Sequence, residues 1–265
     1  MTPEEKYIET FLSPIRTCLA YKPKFGESQN PKGVTLDGFL KIYGADPFYS
    51  WIGLDSDLMY AAHKAAGGMT SVYRQIGIGC EHLFREIIID TTHYSDRDFA
   101  KWSYEAKTSS GKVKTLSLDG RLELNKIKNV ELKKRLKEWI KVYCKDLSVN
   151  QMPKNGVVFE VRQGYKSKDS KRQNVDIDNA TVAWANSYIP IFAIFSSQID
   201  SNVVLRYRNN RCGVIIGSSS DNPQTSLFAF SKNILGYDLA DFFERNSMEF
   251  KTEINNVLKT LLNAN

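Results

Sequence analysis

Apolar positions recur along this chain at two spacings, three-to-four and two, and the alternation between them predicts the elements. Tyr7, Ile8, Phe11 and Leu12 mark a short amphipathic helix near the start. The turn-rich stretch KPKFGESQNPKG then crosses the surface, and the aromatic segment DPFYSWIGLDSDLMYAAH is expected to be buried. After Gly67-Gly68, the residues Val72, Ile76, Cys80, Leu83, Phe84, Ile87 and Ile88 fall on one helical face, predicting a core helix over 70–89 opened by Thr70 or Ser71. Gly77 and Gly79 inside it each cost about 1 kcal/mol relative to Ala, which fits a packing notch or the close approach of a ligand.

Spacing two takes over in KWSYEAKTSSGKVKTLSLDGRLEL, where alternating runs flank Ser109-Ser110-Gly111-Lys112 as in a β-hairpin. Residues 125–146 return to helical spacing, with Leu132, Leu136, Trp139, Ile140 and Tyr143 apolar and Lys133, Lys134, Lys137 and Lys141 outside. PKNGVVFEVRQGYK then reads as a turn and strand, RQNVDIDNATVAWANSY as a helix and IPIFAIFS as a buried strand. Further strands are expected at VVLRYR, CGVIIGS and SLFAFS, and a last helix from Ser247, where Asn246 and Glu249 have capping-box spacing. Strands alternating with helices imply an α/β protein, with a mixed α+β sheet covered by helices.

Composition changes this picture in two ways. With 42% hydrophobic and 25% charged residues over 265, the chain can bury one large domain, 1–265, and no stretch reaches the roughly 18 consecutive apolar residues of a membrane span. The opening MTPEEKYIETFLSP lacks a basic-then-apolar profile, so no membrane attachment and a cytoplasmic location are expected. Cys18, Cys80, Cys144 and Cys212 are scattered singly and read as reduced thiols rather than a zinc site. Charge is uneven: from Lys101 to Arg172 there are 19 Lys and Arg against 8 Asp and Glu, a net of +11 against +6 for the whole, so the rest carries −5. A basic region on an otherwise acidic chain is the footprint of a polyanion partner.

One acid interrupts an apolar strand, at Val157-Val158-Phe159-Glu160-Val161-Arg162. Alternation puts Val158, Glu160 and Arg162 on one face, so a carboxylate and a guanidinium project side by side. A solvent-facing ion pair is the ordinary explanation of such an acid. Its company points elsewhere: Asp119 closes another strand just before Gly120, and the basic run GYKSKDSKRQN follows. Two carboxylates from neighbouring strands suit a Mg²⁺ ion that lowers the pKa of a bound water, while a nearby cation stabilises phosphorane charge. These are the residue types of metal-dependent phosphodiester hydrolysis. His63, His82 and His93 have no partner at a catalytic spacing, and no nucleophile-elbow, Walker or dinucleotide pattern occurs.

GVVFEVRQGYKSKDSKRQNVDIDNA resembles the catalytic strand and following segment of the PD-(D/E)XK nuclease superfamily, and within it the type II restriction endonucleases. TLSLDGR resembles the strand that presents their metal-binding aspartate. The resemblance spans a nuclease core of about 68–200, leaving 1–67 and 201–265 as elaborations, and implies a restriction-endonuclease-like core with flanking helices. It also implies Mg²⁺ as cofactor and sequence-specific hydrolysis of double-stranded DNA. On it, Asp119 matches the first acid and Glu160 the second; Arg162 stands where the motif has Lys, and Lys166 is the other candidate for that ammonium. Glu81 or Glu86 on the preceding helix would add a carboxylate. A second match competes, Glu105-Ala106-Lys107 with Asp96 or Asp98 before it. The Asp119 and Glu160 pairing is preferred because it adjoins the densest basic segment.

For DNA contacts the candidates are Lys168, Lys171 and Arg172 with Gln173 and Asn174, whose amides can bond adenine, and Ser109, Lys112 and Lys114 on the hairpin. Arg206, Arg208 and Arg211 read instead as charge protecting a strand edge. Two-fold recognition sites imply a homodimer, through the helix near 130–145 or the last helix, and a cognate DNA methyltransferase as functional partner. The rival readings are a non-catalytic nucleic-acid-binding protein, a repair or structure-specific nuclease, and a metal-free enzyme acting on bases.

Overall fold

The computed structural model describes residues 1–24, 33–107, 113–164 and 170–263, with backbone only at 106, 107 and 114. In chain order its elements are α1 (Pro3–Arg16), α2 (Leu36–Gly44), α3 (Pro47–Trp51), α4 (Asp57–Thr92), β1 (Trp102–Lys107), β2 (Val113–Leu118), β3 (Gly120–Glu123), α5 (Val130–Asp146), β4 (Gly156–Arg162), α6 (Ser170–Ala185), β5 (Tyr188–Ile194), α7 (Ser201–Asn209), β6 (Gly213–Ile216), α8 (Leu227–Phe230), α9 (Leu239–Arg245) and α10 (Ser247–Leu262). They fall into two compact units, Met1–Gly79 with Arg245–Asn265, and Cys80–Glu244. Among the described residues no helix is long and apolar enough to cross a membrane. Cys18, Cys80, Cys144 and Cys212 are free and buried.

The first unit is helical. α1 opens on a capping box between Thr2 and Glu5, with Pro3 where its missing N–H costs nothing, and buries Tyr7, Ile8, Phe11, Leu12 and Ile15. Phe11 meets Phe250 of α10 edge to face at 5.3 Å. Three expectations are corrected here. α4 starts at Asp57 and runs straight through Gly67-Gly68 instead of opening at Thr70 or Ser71. Packing outweighs the glycine penalty, since a Cβ on Gly68 would lie 2.6 Å from a Leu261 methyl, so only a bare Cα lets α10 come this close. The aromatic segment is not uniformly buried: Tyr60 is, but Phe48, Trp51 and Leu58 are 60%, 82% and 81% exposed, and the short α3 buries none of its side chains. Asn246 makes no capping bond to α10; its amide donates to Glu4 Oε1 at 2.8 Å instead.

The second unit is a three-layer α/β arrangement. β3, β4, β5 and β6 form a sheet in that order, β3 antiparallel to β4 and the other pairs parallel, so the expected mixed sheet with covering helices is present. Odd residues of β4 face one layer, where Phe159 meets Phe84 of α4 at 5.1 Å and Phe230 of α8 at 5.7 Å. Even residues face the other, where Val158 packs with Ala183 of α6. β1 and β2 form a separate antiparallel pair, as the hairpin pattern predicts, whose Trp102 and Leu118 join that cluster. α5 starts at Val130, capped by Asn129, later than the 125 expected, and buries the apolar face predicted for it.

Two short tail segments differ from expectation. VVLRYR lies in α7, capped by Asp200, with only Val203 and Tyr207 buried, a spacing of four rather than two. SLFAFS is α8, capped by Ser226, passing into a wider turn over Ser231–Leu235. Both carry an N-cap residue that outcompetes the β tendency of a brief apolar run.

Candidate functional site

Asp119 sits at the junction of β2 and β3, and the sheet fixes it there. Its N–H donates to the Phe159 carbonyl at 2.9 Å, its own carbonyl accepts from Arg85 Nε at 2.8 Å, and its Oδ2 accepts from the Val161 N–H at 2.8 Å. Gly120 follows, where a Cβ would press on Ile88 at 3.2 Å and on Phe159 at 3.4 Å, so the junction lies close against both α4 and β4. The Asp119 carboxylate is thereby held beside Val161, one residue from Glu160.

β4 is buried along its length except at Glu160, whose side chain keeps 20% exposure. Arg162, two residues on and on the same face, is 6% exposed, and its Nη2 lies 2.9 Å from Glu160 Oε1 and 2.6 Å from Asp176 Oδ1 of α6. Asp176 in turn accepts the Tyr207 hydroxyl on Oδ2 at 2.5 Å. A chain of charge and hydrogen bonds therefore runs from the interior of α7 through α6 to β4. A cavity of about 10 Å³ opens between Glu160, Asp176 and Asn179, room for one water and no more, so any larger ligand reaches Glu160 from its exposed side.

Burial and crowding set the protonation of the acids. Glu160 is pushed up to about 8, first by loss of water and then by repulsion from Asp119, against the pull of Arg162. Asp119 is also raised by burial, although the Val161 N–H, Arg85 and Arg162 oppose the shift. Glu81, on the α4 turn above, is pushed up to about 7 by burial and then by Asp119. Carboxylates this crowded gain from any cation brought among them. Among the described residues no three His, Cys, Asp or Glu side chains form a ready-made cage. The donor set nonetheless fits Mg²⁺, which is held through one or two carboxylates with its remaining positions left to water and phosphate.

The other sequence candidates separate from this cluster. Glu86 is buried in an ion pair with Arg97, which removes it from the choice with Glu81. Asp96 is exposed and caps the turn Arg97–Ala100 by accepting from the Asp98 N–H, and Glu105 is exposed on β1 opposite Thr115. The side chains of Lys107 and Lys114 and the whole of Ser109, Lys112, Lys166 and Lys168 lie outside the described residues. Lys171 and Arg172 are exposed at the start of α6. Of Gln173 and Asn174, expected to contact bases, Gln173 is buried and Asn174 exposed, and their amide oxygens accept from Arg206 at 2.7 and 2.5 Å. Arg206 joins α7 to α6 rather than guarding a strand edge.

Sequence reasoning missed Asp176, Tyr207 and Arg85. Asp176 had a signal, because Gln173, Asp176, Ala180 and Ala183 share the buried face of α6, and a carboxylate on such a face requires a buried partner. No family model, curated protein or solved structure matches the chain.

Proposed function

We propose that the chain is a type II restriction endonuclease with a PD-(D/E)XK-like core, hydrolysing phosphodiesters of double-stranded DNA at a short sequence with Mg²⁺. The observation that carries this reading is the Val161 N–H to Asp119 Oδ2 hydrogen bond, which sets an acid from the β2–β3 junction beside Glu160 at one end of a mixed sheet. The succession of a long helix, a strand-end Asp, an acid-bearing strand, a helix and a parallel strand supports it.

In this reading Asp119 and Glu160 would hold the cation, with Glu81 on α4 as a third nearby carboxylate. Mg²⁺ bound there would supply Lewis acidity and a more acidic water. Arg162, always charged, cannot act as a base; its part is electrostatic, offsetting charge that builds on the phosphorus oxygens. Glu81, where it does not itself ligate the cation, is the carboxylate placed to take a proton from the attacking water. Lys171 and Arg172 meet the backbone phosphates. Lys166 remains the other candidate for the motif's ammonium. A homodimer on a two-fold site and a cognate methyltransferase complete the proposal.

A second reading has an observation of its own. The close Glu160–Arg162–Asp176 contacts also suit a structural ion-pair chain in a non-catalytic DNA-binding protein. Incubation with unmethylated phage-length DNA in Mg²⁺ and, in parallel, in EDTA separates the two. Discrete fragments in Mg²⁺ alone are the expected result; a retarded but intact band in both lanes would replace the nuclease with the binding protein.

A further inference from the structure

We propose that Asp176, anchored by Tyr207, is a positioning residue that draws the Arg162 guanidinium off Glu160 and so leaves the Glu160 carboxylate open to a divalent cation. The inference rests on the reading of Asp119 and Glu160 as cation ligands and concerns how that site is kept receptive.

The geometry shows one nitrogen shared by two acids. Arg162 Nη2 is 2.6 Å from Asp176 and 2.9 Å from Glu160, so the tighter contact is with the acid farther from the cluster. Arg162 and Asp176 are 6% and 4% exposed, and water does little to screen them. The share of the guanidinium that Asp176 takes is withheld from Glu160, the more exposed of the two acids. A guanidinium and a divalent cation seek the same oxygens. Were Arg162 wholly engaged with Glu160, its charge would oppose cation entry and its N–H groups would occupy the lone pairs a metal needs.

The anchor is rigid. Tyr207 is fully buried, donates its hydroxyl to Asp176 Oδ2 at 2.5 Å, and stacks on Phe192 with ring centroids 4.1 Å apart and planes at 8°. Phe192 is the β5 residue in register with Glu160. Asp176 is thus fixed against the strand that neighbours the acid whose availability it controls. Gln173, one turn earlier on the buried face of α6, is tied to α7 through Arg206 and holds the same two helices together.

The test is Mn²⁺ binding to the full-length protein without DNA, followed by calorimetry and by the electron-spin signal of free Mn²⁺. Glu160→Gln should abolish the site. Asp176→Asn should weaken it about tenfold, and Tyr207→Phe about threefold, within the range of coupling seen between directly bonded groups. Arg162→Gln should not weaken it, and adding Asp176→Asn to Arg162→Gln should change affinity by less than about twofold, since the residue Asp176 acts through is then gone. An Asp176→Asn effect that persists undiminished in the Arg162→Gln background would show Asp176 to be a plain field charge and would overturn the inference. Unchanged affinity in Asp176→Asn would do the same. Should thermal melts show that Asp176→Asn fails to fold, Tyr207→Phe carries the test, and wild-type affinity in that variant overturns it. If wild-type protein binds no Mn²⁺, or binds it regardless of Glu160→Gln, the cation reading itself fails, and this inference goes with it.

Discussion

β1 and β4 spell nearly the same thing, Glu105-Ala106-Lys107 and Glu160-Val161-Arg162, and the fold treats them oppositely. β1 belongs to a two-stranded sheet, with Glu105 exposed opposite Thr115. β4 lies inside the four-stranded sheet between β3 and β5, and there burial and the nearby Asp119 push Glu160 up to about 8. An acid-x-cation pattern gains chemical character from the water removed around it and the charges crowded against it, not from its spelling. The hairpin copy keeps its acid in solvent; the sheet copy crowds its acid against other carboxylates, an imbalance that a cation would relieve.

Cleavage should separate the two copies most widely. Glu160→Gln or Asp119→Asn should lower the single-turnover rate in Mg²⁺ by about 10³-fold, the scale of several kcal/mol of lost charge stabilisation, while Glu105→Gln stays within about twofold. Stability comes next. Arg162→Gln takes from buried Asp176 its guanidinium partner and should cost about 3–5 kcal/mol in urea unfolding, against about 0.5 kcal/mol or less for Glu105→Gln. A smaller loss would mean that water reaches the Arg162 pair.

The pH dependence of stability sharpens the same contrast. An acid raised by folding binds its proton more tightly in the native state. Its contribution is therefore full below the unfolded value near 4.5 and is lost as pH rises through about 8. In EDTA, wild-type protein should lose on the order of 2 kcal/mol relative to Glu160→Gln between pH 5 and 9, the partial exposure of Glu160 moderating the effect. Mg²⁺ should restore much of that loss. A difference that stays flat with pH would contradict the desolvated Glu160 described above. Smallest is Tyr207→Phe, which removes one hydrogen bond to a charged acceptor and should cost about 1.5 kcal/mol by thermal or urea unfolding.

How far the site was legible depended on the range of the interaction. Alternation along β4 correctly put Val158, Glu160 and Arg162 on one face, because that follows from strand geometry alone. Asp119 stood out because Gly120 follows it at a strand end. Glu81 and Glu86, both candidates from sequence, lie five residues apart and so about 140° around the helix, and only the placement of α4 decides that Glu81 meets the cluster and Glu86 meets Arg97. Asp176 and Tyr207 escaped notice because their partner is on another element, and because α7, read as a strand, put Tyr207 on the wrong periodicity. Gly77 and Gly79 make the same point. A Cβ on Gly79 would sit 2.4 Å from the Phe11 carbonyl, whereas at Gly77 the space is open, so only one of two neighbouring glycines is a packing notch.

In the proposed nuclease the buried copy of the pattern does the chemistry. The most direct measurement is to digest unmethylated phage-length DNA in Mg²⁺ with wild-type protein, Glu160→Gln and Glu105→Gln side by side. Identical discrete fragments are expected from wild type and Glu105→Gln, and intact DNA from Glu160→Gln. Fragments from Glu160→Gln with none from Glu105→Gln would move the catalytic site to the hairpin and contradict this assignment.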